Sequence, residues 1–284
     1  MSEVHLREVD SSQSSPKVKI APNSSAIPTP FAYFPSDDGT DENLLILLHG
    51  LGDTHIPFSK LGRQFKLPQT AVLALRAPEQ IPFLYEEAYQ WYTSFDPLGE
   101  LISQPNPTPA LDFLTKVINH LTDPTQCAWP SNKIHFFGFA QGGSVALEFG
   151  IKYWRQQLEQ HKKSITSTPD SESSTSTPAQ PTASLGSIVS ISGPLLSYPT
   201  LSSPSPTPVL AVYRPPPAEP CLSPSDLTAM KKAYSVKEVK LGPRGPGMPS
   251  SKEEWEGIMR FWSERLSRRP VDGLYEVMSG MPSS

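Results

Sequence analysis

Five consecutive aliphatic residues, Leu44 to Leu48, restrict the fold of this chain more than any other feature of its sequence. A strand with one face in solvent alternates apolar and polar residues, whereas a strand covered on both faces is apolar throughout. The run is also far shorter than the roughly 20 residues that a membrane-spanning helix requires. It therefore predicts a central strand of a parallel sheet with helices on both faces.

The rest of the chain alternates between strand-like and helix-like segments, which is typical of an α/β fold with a mostly parallel sheet. Apolar residues at helical spacing predict the helices, and short apolar runs bounded by turn-forming residues predict the strands. The predicted strands are 31–34, 44–48, 71–75, 134–137, 185–192, 209–213 and 236–241, and the predicted helices are 109–121, 141–161, 225–234 and 252–266.

Proline, with 33 residues, is well above its usual share of about 5%. Much of the excess lies in polar stretches that cannot bury enough apolar surface to offset the entropy lost on ordering. We therefore expect a disordered N-terminal tail (1–27), one domain (28–268) with a disordered Ser/Thr/Pro insertion (164–184), and a C-terminal tail (269–284).

Charge and cysteine content exclude several classes of function. A net charge of −4 gives no basic face for nucleic acid. The two cysteines, Cys127 and Cys221, cannot form a disulfide framework and lack metal-ligand spacing, so neither a metal nor a cofactor is expected. The polar N-terminus does not resemble a secretory signal, and no segment is long enough to cross a membrane. These features predict a cytoplasmic protein.

Two glycine-rich motifs each follow a predicted strand. The first is His49-Gly50-Leu51-Gly52, and the second is Gly138-Phe139-Ala140-Gln141-Gly142-Gly143. Together with the segment from Trp91 to Asp96, they resemble the acyl-protein thioesterase/phospholipase-carboxylesterase family of the α/β-hydrolase superfamily. The resemblance extends over about residues 30 to 266, apart from the insertion, and implies an α/β-hydrolase fold.

In that family the first motif is the oxyanion loop and the second is the nucleophile elbow, a strand–turn–helix with a serine at its turn. The resemblance implies that Gly50, Leu51, Gly52 and Gln141 bind the substrate, with backbone N–H groups facing the oxyanion. The glycines are equally consistent with a tight turn that serves folding alone.

The resemblance also implies that the catalytic triad is vacated and that the chain has no catalytic residues. Ala140 occupies the nucleophile position, Met248 stands where the family has its histidine, and Pro217 falls near the acid, with Glu219 close by. Independently of the family, no histidine follows His161, although the base comes last along the chain in this fold.

Three functions are consistent with these features. The leading expectation is an inactive member of the hydrolase family that acts by binding an acyl-type small molecule or a protein partner. The alternative is an active carboxylic-ester or acyl-thioester hydrolase without a triad, with a water held by the oxyanion loop and Glu219. A scaffold that recruits partners through its insertion and tails is the third. Ser144 and both cysteines are expected to be structural.

Overall fold

The computed structural model describes residues 5–7, 18–82, 86–166, 183–216, 218, 220–243, 245, 247–269 and 276–278. The elements in chain order are β1 (His5–Arg7), β2 (Phe31–Phe34), β3 (Asn43–Leu48), α1 (His55–Gln64), β4 (Thr70–Leu75), β5 (Glu79–Gln80), β6 (Tyr89–Gln90), α2 (Thr108–Thr122), β7 (Ile134–Phe139), α3 (Gln141–Thr166), β8 (Ser187–Ile191), β9 (Ser205–Tyr213), α4 (Pro224–Ala233), β10 (Tyr234–Lys240), α5 (Lys252–Arg265) and β11 (Glu276–Met278).

A seven-stranded sheet in the order β10-β9-β8-β7-β3-β4-β2 forms the centre of the domain. All neighbouring strands are parallel except the edge strand β2, which runs antiparallel to β4. Every residue of β3 and β4 is buried. The predicted α/β-hydrolase fold, a mostly parallel sheet with helices on both faces, is confirmed.

Two apolar clusters, one on each face of the sheet, form the core. Alternate residues of β3 enter different clusters, with Leu44 in one and Leu45 in the other. Helices α2 and α3 cover the first face, whereas α5 covers the second through Ile258, Phe261 and Trp262. This two-sided burial explains why β3 carries no polar alternation.

Helix α1 was not predicted, because Pro57 and Gly62 both disfavour a helix in local sequence. Pro57 lies in the first turn, where the missing N–H has no intrahelical partner in any case. A methyl group on Gly62 would lie 2.6 Å from Val72 Cγ1, so this glycine allows the helix to pack closely on the sheet. Tertiary packing therefore overrides the local propensity.

The structure differs from the sequence expectation at two boundaries. Residues 18–27, which the composition assigned to a disordered tail, lie against the domain, and Ile27 is buried in the core with an exposed fraction of 2%. Helix α3 continues to Thr166 and so includes the first residues of the expected insertion. The remainder of that insertion up to residue 182 lies outside the described residues.

Candidate functional site

The turn between β7 and α3 has the strand–turn–helix geometry of a nucleophile elbow. Ala140 occupies the turn in the left-handed region, with φ +47°. Its N–H donates to Ile191 O at 2.8 Å, and its carbonyl accepts from Ser144 N at 3.0 Å. A non-glycine residue in this region costs roughly 1–2 kcal/mol, so the surrounding packing holds the turn in place. The side chain presented at the turn is a methyl group, which cannot act as a nucleophile.

The predicted oxyanion loop lies directly beside the elbow. A methyl group on Gly142 would lie 2.3 Å from Leu48 O and 2.6 Å from His49 O, so only glycine permits this approach of the two backbones. Among the described residues, the N–H groups of Leu51 and Gln141 donate no backbone hydrogen bond outside regular secondary structure. Gly50 is buried, whereas Leu51 is 38% exposed. The structure thus places the predicted oxyanion loop beside the elbow, but the N–H of Gly52 is engaged, because it donates to Tyr89 O at 3.0 Å.

The side chain of Gln141 has a role that the sequence did not reveal. Its Oε1 accepts from Trp91 N at 3.0 Å, and its Nε2 donates to Tyr92 O at 2.9 Å and Ser94 Oγ at 2.7 Å. Trp91 in turn donates from Nε1 to His49 O at 2.8 Å. Gln141 and Trp91 therefore join the elbow, the oxyanion loop and the Trp91–Ser94 segment into one buried network.

His49 is close to the elbow, but both of its ring nitrogens are engaged. Nε2 accepts from Ala77 N at 3.0 Å, which places the proton on Nδ1, and Nδ1 lies 2.7 Å from Gly50 O. Burial lowers the pKa of His49 to about 4. The ring is a structural support of the loop and has no free nitrogen to remove a proton from a substrate.

A buried ion pair occupies the region of the loops that follow β9 and β10. Arg214, with no exposed surface, donates from both terminal nitrogens to Glu254 at 2.7 and 2.8 Å and to Gly242 O at 2.8 Å. The Arg214 guanidinium lowers the pKa of Glu254 to about 2. This bidentate pair fastens both loops to the first turn of α5.

The position predicted for the base holds a packed apolar side chain. Met248 is half-buried against the core cluster of α5. A methyl group on the preceding Gly247 would lie 2.9 Å from Cζ of Phe139, and one on Gly50 would lie 2.9 Å from Cδ1 of the same ring. The Phe139 ring therefore separates the Met248 loop from the oxyanion loop. Pro217 and Glu219 lie outside the described residues.

Two other histidines contact nucleophile-type side chains, but neither pair is at the elbow. His135 Nδ1 lies 2.8 Å from Ser187 Oγ, and His120 Nε2 lies 3.6 Å from Cys127 Sγ. Both pairs are buried near the amino ends of the parallel strands, whereas the elbow follows the carboxyl end of β7. Cys127, expected to be structural, has a histidine neighbour that precedes it in the chain.

Comparison with known proteins identifies the family. The family model for phospholipase/carboxylesterase matches residues 34–160. An uncharacterized hydrolase of Mycosarcoma maydis is 37% identical over 244 residues, which cover 84% of this chain and 82% of the relative. This chain belongs to the phospholipase/carboxylesterase family. An uncharacterized hydrolase of Schizosaccharomyces pombe is 34% identical over 117 residues, and that match spans 47% of the relative.

Solved structures show the same fold at low sequence identity. Acyl-protein thioesterase 2 of Zea mays is 18% identical, has a TM-score of 0.54 and matches 84% of this chain and 100% of its own. The carboxylesterase of Bacillus cereus is 13% identical, with a TM-score of 0.57 and coverages of 86% and 97%. YahD, whose structure contains malic acid, is 14% identical, with a TM-score of 0.56 and coverages of 84% and 99%. These structures confirm the α/β-hydrolase fold.

Proposed function

We propose that this family member binds an acyl-type ligand, such as a carboxylate or an ester, at the elbow and does not cleave it by the serine route. The observation that carries the proposal is Ala140 in an otherwise complete elbow. A serine hydrolase requires a hydroxyl, an imidazole that takes its proton, and a carboxylate that orients the imidazole. Ala140 supplies none of these groups and presents only a methyl group.

The surroundings of the elbow support the loss of the remaining triad. Met248 packs in the core where the resemblance places the base, and His49 has both ring nitrogens engaged. After β9, the strand that precedes the acid in the family, the described chain continues with Arg214, a buried cation. A cation there does not orient an imidazolium.

Binding is supported by groups that remain available. The N–H of Leu51 and the N–H of Gln141 lie at the paired loops, and Gln141 begins the long helix α3. A helix N-terminus attracts negative charge and carbonyl oxygens because its first N–H groups lack intrahelical partners. The malic acid in the YahD structure shows that a protein with this fold is compatible with a carboxylate ligand.

A calorimetric titration with octanoate tests the binding proposal, with a matched pair of Leu51 variants. Leu51→Pro removes the backbone N–H, whereas Leu51→Ala keeps it and shortens the side chain. Because a hydrogen bond to a charged group contributes about 1.5–3 kcal/mol, we expect Leu51→Pro to weaken binding by roughly tenfold or more. Leu51→Ala should retain most of the affinity. No heat with octanoate or with an acyl-thioester analogue, or equal losses in both variants, would contradict the proposal.

The second candidate is a working esterase or thioesterase that uses a non-triad mechanism. The observation that favours it is the similarity to relatives named as hydrolases. It requires a water activated by a group other than an imidazole. Turnover of an ester that survives purification to homogeneity distinguishes the two candidates.

A further inference from the structure

A thiol and an imidazole lie in contact at the amino-end edge of the sheet, away from the elbow. Cys127 Sγ is 3.6 Å from His120 Nε2, and the two residues are only 1% and 8% exposed. His120 Nδ1 is buried and has no hydrogen-bond partner among the described residues. Because Nε2 also accepts from Asn23 N at 3.1 Å, the ring proton belongs on Nδ1. The basic nitrogen of His120 is therefore the one beside the thiol, and in this structure its lone pair accepts from Asn23.

Residues 18–27, the N-terminal strap, cover this pair. Lys19 donates from its backbone to Asp41 Oδ2 at 3.0 Å and from Nζ to Ala128 O at 2.7 Å. Ala128, next to Cys127, is held in the left-handed region with φ +54°. Backbone strain of this kind persists only where the surroundings enforce it and often marks functional sites. The strap thus restrains the segment that carries the thiol.

Few side chains of the strap are buried. Only Pro22 and Ile27 of its residues are buried. Its carboxyl-terminal part borders an open surface depression lined by Ser24, Ile27, Pro28, Thr29, Pro30 and Phe31. A segment with few buried apolar contacts opens locally at a cost well below that of global unfolding.

We infer that Cys127 and His120 form a latent thiol–imidazole modification site for soft electrophiles and disulfides, which the strap keeps closed. In the closed state the Asn23 N–H occupies the lone pair of His120 Nε2, and burial excludes the reagent. When the strap lifts, Nε2 is free to take the thiol proton. This site is independent of the proposed ligand at the elbow.

The charged surroundings are consistent with a thiol that is unreactive in the closed state. Burial and the nearby Asp123 carboxylate raise the pKa of Cys127. Tyr33 interacts electrostatically with both Cys127 and Asp41, and Lys19 is engaged with Asp41 and Ala128. Reactivity then requires the imidazole as the local proton acceptor, because a thiolate is the nucleophilic form.

Alkylation by iodoacetamide tests the inference. The full chain is used with Cys221→Ser, so that Cys127 is the one cysteine that can be alkylated. In this reaction the thiol proton passes to His120 Nε2, the sulfur forms a bond to the reagent's CH₂ carbon, and iodide leaves. Asn23→Pro removes the N–H that occupies Nε2, whereas Asn23→Ala keeps it. Because Asn23→Pro removes this donor and also loosens the strap, we expect alkylation to be about tenfold faster in Asn23→Pro than in Asn23→Ala.

Adding His120→Gln to the Asn23→Pro protein should remove most of that acceleration, because an amide does not take the proton. Equal rates in the two Asn23 variants would overturn the role of the strap. If His120→Gln leaves the alkylation rate of the Asn23→Pro protein unchanged, the imidazole does not take the thiol proton. The proposed thiol–imidazole pair would then be wrong, and the strap would only shield Cys127 from the reagent. Ile27→Ser, which loosens the strap through its apolar anchor and leaves Asn23 in place, should also accelerate alkylation. Thermal melting of each variant confirms that the fold is retained.

Discussion

Replacing Arg214 by methionine is expected to lower the free energy of unfolding by about 3–5 kcal/mol, because it leaves the Glu254 carboxylate without its guanidinium partner in a largely buried site. The side chain of Arg214 is fully buried and that of Glu254 is 19% exposed. Glu254→Gln should have a comparable effect, since it leaves a cation in the core. Urea denaturation at pH 7 measures both changes.

The surface pair formed by Arg260 and Glu256 provides the matched control. Its nitrogen–oxygen distance of 2.7 Å equals that of the buried pair, but its side chains are 70% and 65% exposed. Arg260→Met should therefore cost no more than roughly 0.5 kcal/mol. The double replacement Arg214→Met with Glu254→Leu should recover much of the loss, because no unpaired charge remains. A cost for Arg214→Met no larger than that of the control would contradict a structural role for the buried pair.

Acidification from pH 7 to 5 is expected to lower the free energy of unfolding by about 4 kcal/mol through two buried histidines. In the unfolded chain each imidazole titrates near pH 6.5, whereas burial lowers the pKa of His49 to about 4 and that of His135 to about 3. Between these values the unfolded state binds more protons than the folded state, so stability falls as the pH falls. At pH 5 each histidine contributes roughly 2 kcal/mol to the loss.

Chemical denaturation at a series of pH values measures this effect. Each of the variants His135→Gln and His49→Gln removes one titrating ring. Each should therefore reduce the pH dependence of the free energy of unfolding between pH 6.5 and 5 by about half. Glu254 contributes in a separate window, because its lowered pKa of about 2 makes its stabilisation fade only as the pH falls from 4.5 toward 2. A stability that does not change between pH 7 and 5 would show that the imidazoles are not neutral and buried in the folded protein.

The central elements of the fold could be predicted because local sequence encodes them. Burial of β3 on both faces requires an uninterrupted apolar run, which is visible in the sequence. The close approach of two backbones beside Ala140 requires glycines, which are visible as well. Helix α1 left no such pattern, since its stability comes from packing of Gly62 on the sheet. The helix is therefore visible only in three dimensions.

The ion pair at the candidate site could not be predicted for a different reason. Arg214 and Glu254 are 40 residues apart in the sequence. The charge of Arg214 is ordinary in a Pro-rich loop, and that of Glu254 is ordinary in the first turn of a helix, so neither residue indicates a partner. The one local indication of a buried ion pair was the arginine that directly follows the buried strand β9. His120 and Cys127 are only 7 residues apart, but their contact depends on the turn after α2 and on the strap.

Labelling of the purified protein with a fluorophosphonate, together with p-nitrophenyl butyrate kinetics, tests the central claim most directly. With a methyl group at position 140 and both ring nitrogens of the neighbouring His49 engaged, we predict no covalent adduct by intact-mass spectrometry and no burst of nitrophenol. Ala140→Ser should remain unlabelled as well, because a hydroxyl without a base is not activated. A stoichiometric adduct or a burst in the unmodified protein would contradict the claim that this family member lacks the serine route.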